Sequence, residues 1–417
     1  MRPASFLLNP LPPFRLDLAV WTLRRRPENI VDRWDGKTYR RVLPLLEDLL
    51  EVSVTQKGTP EKPRLRVTLD TDSIRPEIQQ AVTTVLERLL GLRTDIEAFY
   101  TLANRDADLG PLARRFRGMK PPRFATVFES VITAIASQQV TRTVGVLLLN
   151  RLTVKYGVVV QKGQIAAYAF PQSKDLARLN PANLRQIGFS RQKGRAIIEL
   201  SKSITTEGLD LEKLAELSDE EAIERLCDLR GVGRWSAEYV LLRGLGRIHI
   251  FPGDDVGARK NLERWLKLAK PLDYPSVRRT LERWSPYSGL VYFHMLLDRL
   301  EDAGFLATET LKPLKEPVNR VNTKKYKEIK PMKQGFKVGD YVSWNSEGGH
   351  VRGTIRKKVT SAVKFKTYTV RASKEEPQYL IKSDRTDHMA MHKGTALKKI
   401  VKDDSILKKR TANPKRS

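Results

Sequence analysis

The sequence is poor in cysteine, in histidine and, relative to base, in acid. Its 417 residues hold one cysteine, Cys227, and five histidines. A single thiol excludes an intramolecular disulfide framework and a four-cysteine iron–sulfur cluster within the chain. No apolar run approaches the roughly 20 residues that span a bilayer, so no membrane-spanning segment is expected. The start, "MRPASFLLNPLPPF", has a short apolar patch broken by prolines and lacks the features of a signal peptide. These absences point to the cytoplasm, or to the nucleus if the source is a eukaryote. Acid is short throughout: 48 Asp+Glu stand against 76 Lys+Arg, a net charge of +28.

That charge is unevenly spread. Residues 312–417 carry 28 Lys+Arg and 10 Asp+Glu, and therefore +18 of the total. A balance this basic suggests a polyanionic partner, nucleic acid first and an anionic membrane surface second. Along the chain, Phe14, Leu16 and Leu18 alternate, as do Leu65, Val67 and Leu69, and both runs predict strands. Ile78, Val82, Val85 and Leu89 recur every three or four residues, which predicts a helix. Residues 1–105 thus read as a small α/β lobe.

From 106 to 311 the helical period dominates, with eight or more helices and no strand expected. Val127, Val131 and Ile135 mark one helix, and Val144, Leu147, Leu148 and Leu152 the next. Ser218 and Glu221 stand at capping-box spacing. Residues 312–334 mix lysine and proline without period and read as a basic linker. Five short strands are expected within 335–400, enough for a small β-barrel, and 401–417 is a basic tail. The fold class is multidomain: α/β lobe, all-α core, small β-barrel.

One stretch of the core carries chemistry: "LRGVGRWSAEYVLLRGLGRIHIFPGDDVGARK", residues 229–260. Gly231 and Gly233 separate two helical patterns. They allow a tight turn and bare the amides of the second helix's first turn, groups that bind phosphate oxygens without reading base sequence. An ordinary interhelical turn would use the same glycines. Farther on, Asp254 and Asp255 follow a Pro-Gly turn. Either could cap the helix that begins "VGARKNLERW", and that role is assigned to Asp254.

These residues resemble the helix-hairpin-helix DNA glycosylase superfamily, which joins an L-x-G-[VI]-G hairpin to a downstream catalytic aspartate. "AIASQQVTRTVGVLLLNRLTVKYG", "LRQIGFSRQKGRAIIELS", "GVGRWSAEYVLLRGLG", "FPGDD" and "WSPYSGLVYFHML" occur in the order of DNA-3-methyladenine glycosylase II, the AlkA type. The likeness covers roughly residues 10–305. It implies a base-excision enzyme that flips alkylated, 3-methyladenine-like bases out of duplex DNA and hydrolyses the N-glycosidic bond. It implies Asp255 as the carboxylate that stabilises positive charge on the sugar.

Trp235 stands where the lyase branch of the superfamily has its Schiff-base lysine, so the resemblance implies a monofunctional enzyme that uses water. Trp235, Tyr239, Tyr287 and Gln138 are the candidate base-binding residues. Aromatic faces attract electron-poor, cationic alkylpurines by cation–π contact. Gln139 falls where the family fills the gap left by the flipped nucleotide. Gly231, Gly233, Arg234 and Ser236 are the candidate DNA contacts of the hairpin.

The backbone carbonyls of Cys227, Leu229 and Val232 match a structural monovalent-cation site, the one ion expected here, and the Cys227 thiol is expected to be packed. Arg191, Lys193 and Arg195 are expected to be solvated. One departure stands out: the AlkA pattern has a tryptophan two positions after a histidine, and here His294 is followed by Met295 and Leu296.

Residues 335–400 resemble the Tudor-like domain called hypervirulence-associated, which brings no activity with it. Tyr341 and Trp344 either line a groove there or pack its core, and the module's partner is unknown. The resemblance implies a monomer associated with the nucleoid in a bacterial cytoplasm. The alternative is a protein that binds damaged or bent DNA and has lost catalysis. Asp255 argues against it, because binding alone does not need that carboxylate.

Overall fold

A computed structural model describes residues 3–162, 165–306 and most of 336–400, where 347–348, 362, 366–367, 371, 374–376, 385–388 and 395–396 fall outside. The expected linker and tail also lie outside the described residues. The chain divides into two compact units, residues 1–319 and 320–417.

In the first unit, β1 (Ser5–Leu8), β2 (Arg33–Trp34), β3 (Thr38–Leu45), β4 (Asp48–Lys57) and β5 (Arg64–Leu69) form one antiparallel sheet. Its order is β1-β5-β4-β3-β2. Alternation works as expected in β5: Leu65, Val67 and Leu69 are buried, with Val54 opposite Val67 and Val52 opposite Leu69. The "FRLDLAV" expectation is corrected, because α1 (Leu16–Arg24) is a helix. Its residues are buried nearly all round, so the alternation of three apolar residues carried no information about period. Leu16, Ala19, Val20 and Leu23 enter one hydrophobic core, and Leu18 and Trp21 enter a second.

The helix expected from Ile78 is α2 (Pro76–Leu90), with proline in its first turn and Gly91 closing it in the left-handed conformation. Then follow α3 (Glu97–Asn104), α4 (Leu109–Arg115), α5 (Val127–Ser137) and α6 (Arg142–Tyr156). A short hairpin, β6 (Val159–Lys162) and β7 (Ile165–Tyr168), interrupts the helices and corrects the expectation of a strand-free core. Its Ala167 packs with Val42 of β3, a contact sequence periodicity does not show.

The remaining helices are α7 (Ser173–Ala177), α8 (Pro181–Gln186), α9 (Arg191–Thr206), α10 (Asp219–Cys227), α11 (Arg234–Val240), α12 (Val256–Trp265), α13 (Tyr274–Leu281) and α14 (Ser288–Asp302). The capping box at α10 forms as read: Glu221 N–H donates to Ser218 Oγ at 3.2 Å and Ser218 N–H to Glu221 at 2.9 Å.

The lobe and the helices are one packed body. The first core runs from the sheet through α2, α5, α9, α10 and α11, and the second joins α1, α3, α4, α12, α13 and α14. A buried polar network crosses between the parts. Arg41 of β3 donates to Asp32 at 2.7 Å and also to Glu129 of α5, while Tyr39 donates to Asp32 at 2.8 Å. With every charge paired, this network is tolerable in a low-dielectric interior.

The second unit carries an antiparallel sheet of β8 (Tyr341–Ser346), β9 (Gly349–Val359), β12 (Gln378–Ser383), β13 (Met389–Lys393) and β14 (Lys398–Lys399). The order is β13-β12-β9-β8-β14, and β10 (Val363–Phe365) pairs with β11 (Tyr368–Val370). Phe336, Val342, Ile355, Tyr379, Ile381 and Leu397 form its core. Among the described residues no strand pair closes this sheet into the expected barrel.

Candidate active site

The glycine hairpin connects α10 to α11. Gly231 adopts φ +76°, and a Cβ there would lie 2.9 Å from Ala196 Cβ on α9. Both facts demand glycine. Gly233 caps α11 from extended backbone and has nothing within 4 Å of a would-be Cβ. Only one of the two glycines is therefore required by the packing; the other leaves open space before a helix start.

Two of the expected contact residues, Gln138 and Ser236, brace this turn. Gln138 Nε2 donates to Gly231 O at 2.7 Å and to Ser236 Oγ at 2.9 Å. Ser236 is 1% exposed, and its hydroxyl is held inside. Gln139 is different. It is exposed and held at φ +52° between α5 and α6, a conformation non-glycine residues seldom adopt outside constrained sites.

Lys193 is also not merely solvated. Its ammonium donates to Ala136 O at 3.0 Å and Gln138 O at 2.6 Å, closing the carbonyl end of α5 beside this loop. Arg195 pairs with Glu199 one turn on, and Arg191 is exposed. Cys227, expected to be packed, is exposed. Cys227, Leu229 and Val232 share one wall of a pocket of about 590 Å³, where the Leu229 carbonyl accepts the Val232 amide at 3.0 Å.

The aspartate loop is pinned from inside α11. Glu238 is 3% exposed, and its Oε2 accepts the Gly253 amide at 3.0 Å. Its Oε1 accepts from Arg234 Nε at 3.1 Å and from the Tyr274 hydroxyl. Arg234 itself is exposed, with its guanidinium 4.6 Å from the Tyr274 ring centroid. The loop so fixed delivers Asp255 as the cap of α12: Oδ1 accepts the Ala258 amide at 2.9 Å. The cap is thus Asp255 and not Asp254, which is exposed. Capping does not exhaust Asp255: it is half-buried and acts electrostatically on Arg25, Arg142 and Tyr292.

Arg25 is the residue sequence reasoning missed. It ends α1 at φ +60° and points into the helical core. Its guanidinium donates to the hydroxyls of Tyr239 at 3.3 Å and of Tyr292, and sits 5.4 Å from the Tyr239 ring centroid. Burial alone would lower its pKa, but Tyr239, Tyr292 and Asp255 together raise it above the ordinary arginine value. Tyr292 shifts upward, chiefly by burial, with Arg25 opposing. Behind them Arg243, fully buried in a π-helical turn that continues α11, lies 5.9 Å from the Tyr239 centroid and 5.2 Å from that of Phe124. Burial brings its pKa down to about 10.

Trp235 is half-buried, 5.7 Å from Tyr239 between centroids, and its Nε1–H is buried with no partner. Tyr239, which is 1% exposed, and Asp255 therefore act on Arg25, while Trp235 packs against Tyr239. Tyr287 does not join them: it packs edge-on against Phe99 in the second core. His294 is buried there too, its Nδ1 bonded to Leu290 O at 2.8 Å. Glu238 had a readable signal, a lone acid inside the apolar run Ala237–Val240, but Arg25 lay hidden in a run of three arginines.

Residues 132–286 match the family model described as HhH-GPD superfamily base excision DNA repair protein. The helical core is similar to the HhH-GPD superfamily over this segment. Residues 339–397 match the model of the TUDOR domain of hypervirulence associated proteins. A putative DNA-3-methyladenine glycosylase of Bacillus subtilis is 24% identical over 66% of this chain and 92% of its own length. A probable bifunctional transcriptional activator/DNA repair enzyme of Mycobacterium tuberculosis is 31% identical over 63% of this chain, which spans half of that relative. The solved 3-methyladenine DNA-glycosylase from Archaeoglobus fulgidus superposes with a TM-score of 0.62 at 26% identity, covering 72% of this chain and all of that one. The hairpin, Trp235, Tyr239 and Asp255 all fall inside the matched segment, whereas Arg25 lies outside it. In the Tudor domain, Tyr341 donates to Asp384, and the side chain of Trp344 lies outside the described residues.

Proposed function

We propose that this chain is a monofunctional DNA glycosylase that excises alkylated bases from duplex DNA by hydrolysis. The observation that carries the reading is Asp255. One of its oxygens is locked by the helix it caps, and the carboxylate acts on the group of side chains around Tyr239 and Tyr292. Breaking the N-glycosidic bond leaves its electron pair on the base and builds positive charge on the deoxyribose. A carboxylate fixed before reaction stabilises that charge without reorganising. Water then adds to the sugar and gives up its proton to Asp255 or to solvent.

The surrounding parts serve positioning. Gln139 enters the gap that the flipped nucleotide leaves, and the amides before α11 meet backbone phosphate. Trp235 offers no amine for a Schiff base, and Lys193, which reaches the adjacent loop, is committed to two carbonyls. The protein acts on DNA as a monomer, with the basic segment after residue 311 adding sequence-independent affinity.

Incubation with alkylated duplex and chromatography of the released bases tests this reading. Free base with an intact, alkali-labile strand is expected, and borohydride should trap no protein–DNA adduct. A trapped adduct would contradict the monofunctional reading. Tight binding of the duplex without release would favour a binding-only protein.

A further inference from the structure

The sheet of the second unit carries charge where its fold has no use for it. Residues 335–400 hold 14 Lys+Arg against 6 Asp+Glu, so the folded module is basic in its own right, apart from linker and tail. Tyr379, Ile381 and Ser383 of β12 are buried on the core side, which leaves Gln378, Leu380 and Lys382 on the outer face. Residues directly opposite one another in an antiparallel sheet share a face. Lys382 therefore lies in one outer row with Thr354 of β9. Two residues along β12, Leu380 pairs with Lys357 of β9, and two further on, Gln378 pairs with Lys393 of β13. Each row holds one lysine, all three lysines are exposed, and the rows stand about 7 Å apart along the strands.

Lys357 reaches this face through a β-bulge. Ile355 faces the core opposite Ile381, and strict alternation would turn Lys357 the same way. The register shifts between Leu380 and Ile381, so Arg356 is the extra residue and Lys357 falls opposite Leu380 instead. Bulges re-aim side chains in this way. Lysine is depleted in strands, and its usual service there is to guard an open edge. That service does not cover Lys357 or Lys382, because β9 and β12 are interior strands in the order β13-β12-β9-β8-β14. Among the described residues no carboxylate pairs with Lys357 or with its neighbours Arg356 and Lys358. Asp384, two residues past Lys382, is held by the Tyr341 hydroxyl.

Resting on the reading of this chain as a protein that acts on DNA, we propose that the outer face of β9, β12 and β13 binds the phosphodiester backbone of undamaged duplex. Lys357, Lys382 and Lys393 meet phosphates as point charges and read no base. Counterion release supplies the affinity. One cation per row, repeated at even spacing, matches a polymer that repeats one anion per nucleotide. An acidic protein segment has no such repeat.

The test measures the affinity of the full chain for undamaged duplex DNA across a series of salt concentrations. Lys357→Gln, Lys382→Gln and Lys393→Gln together remove three charges from the face, and they should flatten the log–log slope by about 2 to 3 units. Lys337→Gln, Lys358→Gln and Lys399→Gln together remove the same charge from the same unit, away from the three rows. That control should flatten the slope by less than about 1 unit. Lys357→Arg, Lys382→Arg and Lys393→Arg together keep the charge and should keep the wild-type slope. A slope left unmoved by the three glutamines on the face overturns the proposal and makes an acidic protein segment the occupant. Equal flattening by the face variant and the control overturns it too, because net charge and not the face would then set the affinity. These slopes need no excision. Failure of the wild type to release base from alkylated duplex would sink the glycosylase reading and leave the test of the face standing.

Discussion

Arg41 and Arg25 leave the same N-terminal lobe and enter the same helical core, but they meet opposite company there. Arg41 is held between two buried carboxylates, Asp32 and Glu129, and closes a network in which every charge has a partner. Arg25 meets two phenols and feels Asp255 only at a distance. The first arrangement fastens the sheet to α5, with the Arg41 Nε–H left buried and unbonded. The second keeps its charge among buried aromatic rings, with its Nε–H also unbonded. Carboxylates neutralise the first arginine in place, whereas the second keeps its charge against phenols.

Removing Arg41 should break the first half of this contrast with the largest effect on stability. Arg41→Ala leaves Asp32 and Glu129 buried without their cation, a change that typically costs about 3 to 5 kcal/mol. Thermal or denaturant unfolding should show the loss, while whatever protein stays folded keeps its base-release activity. A stability change below about 1 kcal/mol would show that the network is not a fastener.

His294 sharpens the contrast with a buried group kept neutral. Burial brings its imidazole from 6.5 down to about 4, with the bond to the Leu290 carbonyl opposing. The folded form therefore holds a proton less readily than the unfolded chain. Its stabilising contribution is complete above pH 6.5 and is lost as pH falls toward 4, by about 3 kcal/mol at that limit. Unfolding measured across this window should lose less stability in His294→Gln than in the wild type. Equal acid sensitivity would assign the loss to other groups.

Glu238 supplies the smallest expected change, on the anionic side of the site. Its two oxygens accept from the Gly253 amide and from Arg234 and Tyr274, and Glu238→Gln cannot accept at both. Excision should fall about tenfold in kcat with little change in affinity for undamaged duplex. In an Asp255→Asn background the same substitution should add almost nothing, because both act through one carboxylate. An additive loss would mean that Glu238 works independently of the aspartate loop.

What could be read from sequence was what is local in sequence. The hairpin glycines, the capping box at Ser218 and the α2 period each lie within one or two helical turns of their partners, and all three took the form expected. α1 escaped because burial on every side erases periodicity, and β6–β7 because four-residue strands carry too short a pattern. The division of labour between Asp254 and Asp255 was not legible either, since adjacent carboxylates differ only in backbone geometry. Arg25 lies 214 residues from Tyr239, and only tertiary structure brings the two together.

Asp255 bears the central claim, and Asp255→Asn tests it most directly. Asparagine is as good a helix cap as aspartate, so its side-chain oxygen can keep the Ala258 amide and the protein should remain folded. The charge beside the sugar disappears. Single-turnover release of free base from alkylated duplex should then fall by at least about 100-fold, with duplex affinity unchanged or higher. Near-wild-type release by this folded variant would contradict the account and move the chemistry away from Asp255.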